Sequence, residues 1–135
     1  MKWLPVNSQG IVDPDELRKA IDPDKTALVS LIWANNETGL INPVKEYGEI
    51  CRENGVKLHL DGVQAIGKIP VDVQNVEVDY LTFSAHKFHG PKGVGFIYIN
   101  NDNQIKPYLD GGSQERNMRG GTENLYGIVG LAKAL

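Results

Sequence analysis

Residues 80–99 read YLTFSAHKFHGPKGVGFIYI, and this stretch decides the fold of the 135-residue chain. Its two apolar runs, Tyr80–Phe83 and Gly95–Ile99, have the length and composition of buried β-strands, and a glycine-rich turn separates them. Polar side chains follow the first run directly, at Ser84, His86 and Lys87. Polar residues at the end of a buried strand are typical of the ligand-binding edge of an open α/β sheet.

Outward from residues 80–99, short apolar runs alternate with helical segments. Two upstream runs predict strands at Ala27–Trp33 and Val56–Leu60, and the second run ends next to Asp61. Capping and stop signals predict three helices: Asp13 to about Ile21, Asn42-Pro43 to Asn54-Gly55, and near Thr122 to the C-terminus. The alternation predicts an α/β domain with a mostly parallel sheet flanked by helices. Asp61 and the polar residues 84–87 would then meet at one edge of that sheet.

Composition and charge exclude several classes of partner. Lysine and arginine total 14 against 17 acids, and the resulting net charge of −3 is too mild to imply nucleic acid or an anionic membrane. No apolar run approaches the length of a bilayer span, and the N-terminal segment lacks the apolar core of a signal peptide. The single cysteine excludes an internal disulfide, so a reducing, cytoplasmic location is expected. The histidines have no acid or cysteine at a known ligand spacing, so no metal site is predicted.

Lys87 and Asp61 are the residues whose positions suggest chemistry. A lysine that leaves an apolar strand into a polar edge is a candidate for a Schiff-base link, because partial desolvation would free its amine. Ser84 and His86 could hold a phosphate beside it. A carboxylate at Asp61 could pair with a pyridinium nitrogen and make a cofactor an electron sink. The structural alternatives are a solvated lysine at a strand end and an acid that caps a turn, and the residues alone leave both open.

Cys51, the only cysteine, is predicted to be structural. It shares an apolar stripe with Val44, Tyr47 and Ile50 on the second helix, so its side chain should be buried. No cationic residue is placed to favour its thiolate, and a buried cysteine behaves as a small hydrophobe. We therefore do not expect Cys51 to act as a nucleophile.

Four segments together resemble a known family. Residues 84–95 (SAHKFHGPKGVG) are similar to the cofactor-lysine motif of the NifS/IscS-type cysteine desulfurases, within the class V aminotransferase-like group. The other matching segments are residues 34–39 (ANNETG), residues 59–65 (HLDGVQA), and the loop formed by residues 111–116 (GGSQER) and 119–124 (RGGTEN). The resemblance covers nearly the whole chain. It departs from the family pattern at Gly62, where alanine is usual, at Ser113, where glycine is usual, and at Gly120, where serine or proline is usual.

The resemblance implies a fold and a role for each matching residue. The fold would be part of the large domain of the pyridoxal-phosphate-dependent, aspartate-aminotransferase-like enzymes (fold type I). Residues 1–135 would form the C-terminal part of that domain, with its N-terminal part and the small C-terminal domain outside the chain. Lys87 would hold pyridoxal 5'-phosphate and later move the proton from the substrate Cα. The other contacts would be Asp61 to the pyridine nitrogen, Gln64 to the ring oxygen, Ser84 and His86 to the phosphate, Asn36 near the ring oxygen and the substrate carboxylate, and Thr122 to the partner subunit's phosphate.

The activity that the resemblance implies belongs to a full-length parent, a homodimer that converts L-cysteine to L-alanine and an enzyme persulfide. The sulfur would serve iron-sulfur cluster or thio-cofactor assembly, with a scaffold-type protein as its acceptor. Two alternatives stay open: a selenocysteine lyase, which shares the cofactor pocket, and a catalytically silent fragment that only binds cofactor or a partner chain. Four features of the family have no counterpart here. They are the persulfide-forming cysteine, the upstream phosphate loop, the histidine that stacks on the ring and the arginine for the substrate carboxylate. The chain alone is therefore expected to be inactive.

A structural alternative for Thr122 is the N-cap of the last helix. This residue could both cap the helix and contact the partner subunit's phosphate.

Overall fold

Helices are interspersed with strands along the computed structural model, which describes all 135 residues. In chain order the elements are α1 (Pro14–Ala20), β1 (Leu28–Ile32), α2 (Val44–Glu53), β2 (Lys57–Asp61), β3 (Tyr80–Ser84), a 3-10 helix (Ala85–Phe88), β4 (Gly95–Ile99), α3 (Gln114–Asn117) and α4 (Leu125–Ala134). Every strand lies within one residue of its predicted bounds at each end. None of the helices is both long and apolar enough to cross a membrane.

The four strands form one sheet in the order β1-β2-β3-β4. The β1–β2 and β2–β3 pairs are parallel, whereas β4 runs antiparallel to β3. The predicted α/β class with a mostly parallel sheet is therefore confirmed. Because β1, β2 and β3 run in the same direction, their carboxyl ends meet at one edge of the sheet, here called the carboxyl edge.

One face of the sheet carries the hydrophobic core. Leu58, Leu60 and Leu81 are fully buried on this face, and the Phe83 and Phe96 rings stack with their centroids 4.5 Å apart. Full burial of one such leucine side chain contributes about 1.5–3 kcal/mol. The alternate residues of the same strands point to the opposite face, which therefore carries His59 and Asp61 of β2.

Helix α2 covers the core face through its buried stripe, and Tyr47 is the residue that fixes it there. The Tyr47 side chain is fully buried, and its hydroxyl donates to the Val12 carbonyl oxygen at 2.6 Å. The same hydroxyl lies 3.2 Å from Oδ1 of Asn42, whose Nδ2 donates to the Ile32 carbonyl oxygen at 2.9 Å. Burial raises the pKa of Tyr47 to about 12, so the hydroxyl remains a donor. The end of β1, the start of α2 and the segment before α1 are thereby held together.

The start of the last helix corrects the sequence prediction. Helix α4 begins at Leu125, and the N-cap is Asn124, whose Oδ1 accepts a hydrogen bond from the Gly127 amide at 3.1 Å. Thr122 lies before the cap, so the capping alternative for Thr122 is wrong. Threonine and asparagine are both good N-caps, and the position of the first free helical amides decides between them.

Candidate active site

Backbone hydrogen bonds fix the carboxyl edge of the sheet, where Asp61 and Ser84 end their strands. Asp61 lies opposite Ile32 of β1 and Thr82 of β3. The Trp33 amide donates to the Asp61 carbonyl oxygen at 2.9 Å, and the Gly62 amide donates to the Thr82 carbonyl oxygen at 3.0 Å. The edge that carries the predicted site therefore has the rigidity of the sheet.

The Asp61 carboxylate serves a turn with only one of its two oxygens. Its Oδ1 accepts a hydrogen bond from the Val63 amide at 2.9 Å, so the turn-capping alternative describes a real contact. The second oxygen has no hydrogen-bond partner in the chain, and the residue is half-buried. A carboxylate can accept at both oxygens, so the free oxygen leaves Asp61 able to bind a ligand N–H as well.

A helical turn carries Gln64 beyond the end of β2. The Ala65 amide donates to the Gly62 carbonyl oxygen at 2.9 Å, and the Ile69 amide donates to the Ala65 carbonyl oxygen at 3.0 Å. Ala65 is fully buried and anchors this turn, here called the Gln64 turn (residues 62–69). Four residues after Gln64, Lys68 donates from Nζ to Gln64 Oε1 at 3.0 Å. Residues four apart on a helical turn share a face, so the pairing follows from the local backbone.

The 3-10 helix presents His86 and Lys87 outward because its other two residues, Ala85 and Phe88, are buried. Its left-handed cap at His89 (φ 68°) leads into Gly90, and a Cβ at Gly90 would lie 2.9 Å from that of Ala85. The side chain of Lys87 is exposed and has no hydrogen-bond partner in the chain. The sequence predicted that Lys87 is partly desolvated, and this prediction is wrong for this chain. The predicted place of Lys87 at the strand end is right.

The structure brings five of the seven predicted site residues to the ends of β2 and β3: Asp61, Gln64, Ser84, His86 and Lys87. Asn36 lies on the loop that follows β1 at the same edge, where its Nδ2 donates to Glu37 Oε1 at 2.7 Å. Thr122 does not join them. It lines a separate cleft with Gly93–Gly95 and Arg119.

The chain matches one known protein family along its whole length. The family described as aminotransferase class-V matches residues 1–135. The chain belongs to this family.

Relatives of this class-V chain include cysteine desulfurases, as the motifs predict. The cysteine desulfurase IscS of Methanosarcina thermophila is 54% identical over 132 residues, which cover 98% of this chain and 32% of that protein. A solved NifS-like protein superposes with a TM-score of 0.94 at 51% identity, over 98% of this chain and 37% of that one. A solved structure described as SspA in complex with cysteine has a TM-score of 0.94 at 33% identity, over 98% of this chain and 39% of that one. The chain spans about a third of the length of the curated relatives it matches.

These comparisons confirm the predicted resemblance and the predicted fold class. The division of residues 1–135 as the C-terminal part of a large domain stays a prediction.

The departure of this class-V chain at Gly62 has a steric reason. A Cβ at Gly62 would lie 2.6 Å from Phe83 Cε1 and 3.0 Å from Leu81 Cδ1. Real Cβ atoms essentially never approach a carbon at 2.6 Å, so the ring of Phe83 occupies the space that an alanine methyl needs. The substitution therefore belongs to the packing beneath the edge and leaves the polar atoms above it unchanged.

His59 joins three strands on the face that also carries Asp61. Its Nδ1 lies 2.8 Å from Ser30 Oγ of β1, and its Nε2 lies 3.2 Å from Thr82 Oγ1 of β3. Burial lowers the pKa of His59, and the nearby Asp61 charge opposes this shift. Sequence reasoning missed this contact, although alternation along β2 places residues 59 and 61 on one face.

Cys51 is confirmed as a structural residue. Its side chain is buried in the core beneath α2. Burial, with a smaller contribution from the charge of Asp79, raises the pKa of the thiol to about 11. A thiol in this state is not a nucleophile at neutral pH, because the thiolate is the reactive form.

Proposed function

We propose that this chain is the lysine-bearing part of a longer, pyridoxal-phosphate-dependent cysteine desulfurase. That enzyme would convert L-cysteine to L-alanine and an enzyme persulfide. The observation that carries the proposal is the grouping of Asp61, Gln64, Ser84, His86 and Lys87 at the ends of two neighbouring strands. The names of the relatives, at about half sequence identity, support the choice of reaction.

The polar atoms at the carboxyl edge fit pyridoxal phosphate in number and kind. Asp61 keeps one carboxylate oxygen for the pyridinium N–H, and Gln64 keeps its amide Nε2 for the ring oxygen. The hydroxyl of Ser84 and the ring of His86 have no hydrogen-bond partners in the chain and would bind the phosphate. When bound, the cofactor supplies an electron sink that stabilises negative charge at the substrate Cα.

The residues of the chain would then divide the work of the reaction. The Lys87 amine would hold the cofactor covalently and later accept the proton from the substrate Cα. The Asp61 carboxylate would keep the pyridine nitrogen protonated by accepting its N–H. Asn36, on the loop after β1, would contact the ring oxygen and the substrate carboxylate.

We propose that the sulfur acceptor lies outside this chain. Cys51 is buried beneath α2 and its pKa is raised to about 11, so it would not take sulfur from a substrate bound at the carboxyl edge. The isolated chain is therefore proposed to be inactive, as a binding fragment would be. In the full-length enzyme the sulfur would pass through a persulfide to a scaffold-type protein for iron-sulfur cluster or thio-cofactor assembly, in the cytoplasm.

The full-length enzyme is further proposed to be a homodimer. Apolar side chains on α4 are largely exposed, including Leu125 (67%), Tyr126 (93%) and Val129 (68%). A face of this kind is typical of an interface. Thr122 precedes α4 and would reach the partner's phosphate. Light scattering should give a dimer mass that falls for Tyr126→Glu, and a wild-type monomer would refute the dimer.

Covalent trapping tests the proposed function. The full-length enzyme is incubated with pyridoxal phosphate, reduced with borohydride, digested and mapped by mass spectrometry. We expect the label on Lys87, and none in the Lys87→Ala variant. Label on Lys92 or Lys68, or no label, would refute the assignment. Parallel assays of alanine formation from L-cysteine and from L-selenocysteine separate the desulfurase from a selenocysteine lyase.

A further inference from the structure

Lys68 contacts two parts of the proposed site at once, although its own amine is not the cofactor lysine. Its Nζ donates to Gln64 Oε1 at 3.0 Å and to the Lys87 carbonyl oxygen at 3.1 Å. None of the five ion pairs of the chain includes Lys68. Its two partners are neutral oxygens, one on the Gln64 turn and one on the 3-10 helix.

The contact with Lys68 determines which end of the Gln64 amide is free. An ammonium group has three donors and no acceptor, so the amide atom facing it must be the oxygen. The opposite orientation would place the amide NH2 against the ammonium group, donor against donor. With Oε1 held by Lys68, the Nε2 group is the end left for a ligand, and it has no partner in the chain. A donor of this kind would stabilise an anionic ring oxygen.

The backbone brings Lys68 to this position. Gly67 has a left-handed φ of 74°, and a Cβ there would lie 3.0 Å from Phe88 Cβ. The Gln64 turn therefore lies close against the 3-10 helix, within reach of the Lys87 carbonyl. Lys68 consequently links the turn that carries Gln64 to the backbone of the cofactor lysine.

The geometry points to Lys68 as a positioning residue that orients the Gln64 amide so that its NH2 donates to the ring oxygen of pyridoxal phosphate. The inference rests on the proposed function. Lys68 acts through Gln64, so its removal should have no effect when Gln64 is already absent. One charge-assisted hydrogen bond at an exposed site corresponds to about a three- to tenfold change in binding.

A double-mutant cycle in the full-length enzyme tests this inference. The variants are Lys68→Met, Gln64→Ala, the double variant, and Lys68→Arg, which keeps a donor. Lys45→Met is a matched control, because Lys45 is an exposed lysine on α2 with no hydrogen-bond partner. The measurements are the dissociation constant of added pyridoxal phosphate, the visible absorption band of the bound cofactor, and the melting temperature of the apoenzyme.

We expect Lys68→Met to weaken cofactor binding about three- to tenfold and to shift the absorption band, with partial recovery in Lys68→Arg and no change in melting temperature. In the Gln64→Ala background, Lys68→Met should add nothing. Wild-type binding in Lys68→Met, or an equal loss with and without Gln64, would overturn the inference. These outcomes leave the trapping result on Lys87 untouched, whereas a failure of trapping would refute the proposed function itself.

Discussion

Two aspartates at opposite edges of the same sheet show how a structural acid differs from one available for chemistry. Asp79 precedes β3 at the amino edge, where both of its oxygens are used. They accept hydrogen bonds from the Leu58 amide at 2.8 Å, from Asn103 Nδ2 at 2.9 Å and from Lys57 Nζ at 3.0 Å. Asp61 ends β2 at the carboxyl edge and accepts only one hydrogen bond, from the Val63 amide. Asp61 therefore keeps one carboxylate oxygen available to a ligand, whereas both oxygens of Asp79 already serve the fold.

The titration of Asp79 agrees with its structural role. Burial would raise its pKa, but the hydrogen bonds from Leu58, Asn103 and Lys57 outweigh burial, and the net shift is downward. A carboxyl whose folded pKa is depressed stabilises the fold above its unfolded value and loses this contribution as the pH falls through the folded pKa. Asp79 thus contributes to stability at neutral pH, and this contribution is lost only at acidic pH.

The largest expected effect is that of Asp61→Asn on turnover. Asparagine keeps an oxygen for the Val63 amide but removes the charge that would hold the pyridine nitrogen protonated. Alanine formation by the full-length enzyme should fall by about a hundredfold or more, while the melting temperature changes little. Wild-type turnover would show that Asp61 only caps its turn.

The matched change at the other edge, Asp79→Asn, should have the opposite profile. Its amide NH2 would face at least one of the donors that now bind the carboxylate, so a buried donor loses its partner. Urea unfolding should show a loss of about 1–3 kcal/mol. Turnover per folded molecule should stay near the wild-type value, and an equal loss of turnover in the two variants would remove the distinction between the edges.

An effect on stability of similar size is expected beneath the carboxyl edge. Gly62→Ala should destabilise the chain by about 1–3 kcal/mol, because the new methyl meets the Phe83 ring. Phe83→Leu introduces a smaller side chain and should by itself lower the free energy of unfolding. In that background, Gly62→Ala should cause little further loss. A double-mutant cycle measured by urea unfolding checks this coupling. Simple additivity of the two changes would mean that Phe83 is not the obstacle.

The sequence predicted the strands and their polar ends well, because both depend on local patterns. Continuous apolar runs identify strands, and residues that follow parallel strands must share an edge. Prediction failed where a neighbour distant in sequence decides. The exposure of Lys87 depends on which segments cover the edge, and the contact of Lys68 with the Lys87 carbonyl depends on how the Gln64 turn packs on the 3-10 helix. Likewise, nothing in the residues around Asp79 shows that Asn103 binds it.

The smallest expected effect concerns His59, which neighbours Asp61 on the same strand. Burial lowers its folded pKa below the usual value of about 6.5, so the unfolded chain takes up a proton at a pH where the folded chain does not. The stability that depends on neutral His59 is therefore complete above about pH 6.5 and declines as the pH falls toward the folded pKa.

The variant His59→Gln tests this prediction, because its side chain cannot titrate, yet its amide can still pair with the hydroxyls of Ser30 and Thr82. Urea unfolding at pH 7.5, 6.5 and 5.5 should show the wild-type chain losing stability relative to the variant as the pH decreases. His86 and His89 are present in both proteins, so their contributions cancel in the difference. Parallel pH profiles would show that His59 titrates alike in the folded and unfolded chains, and that its bridge between the strands does not depend on the neutral ring.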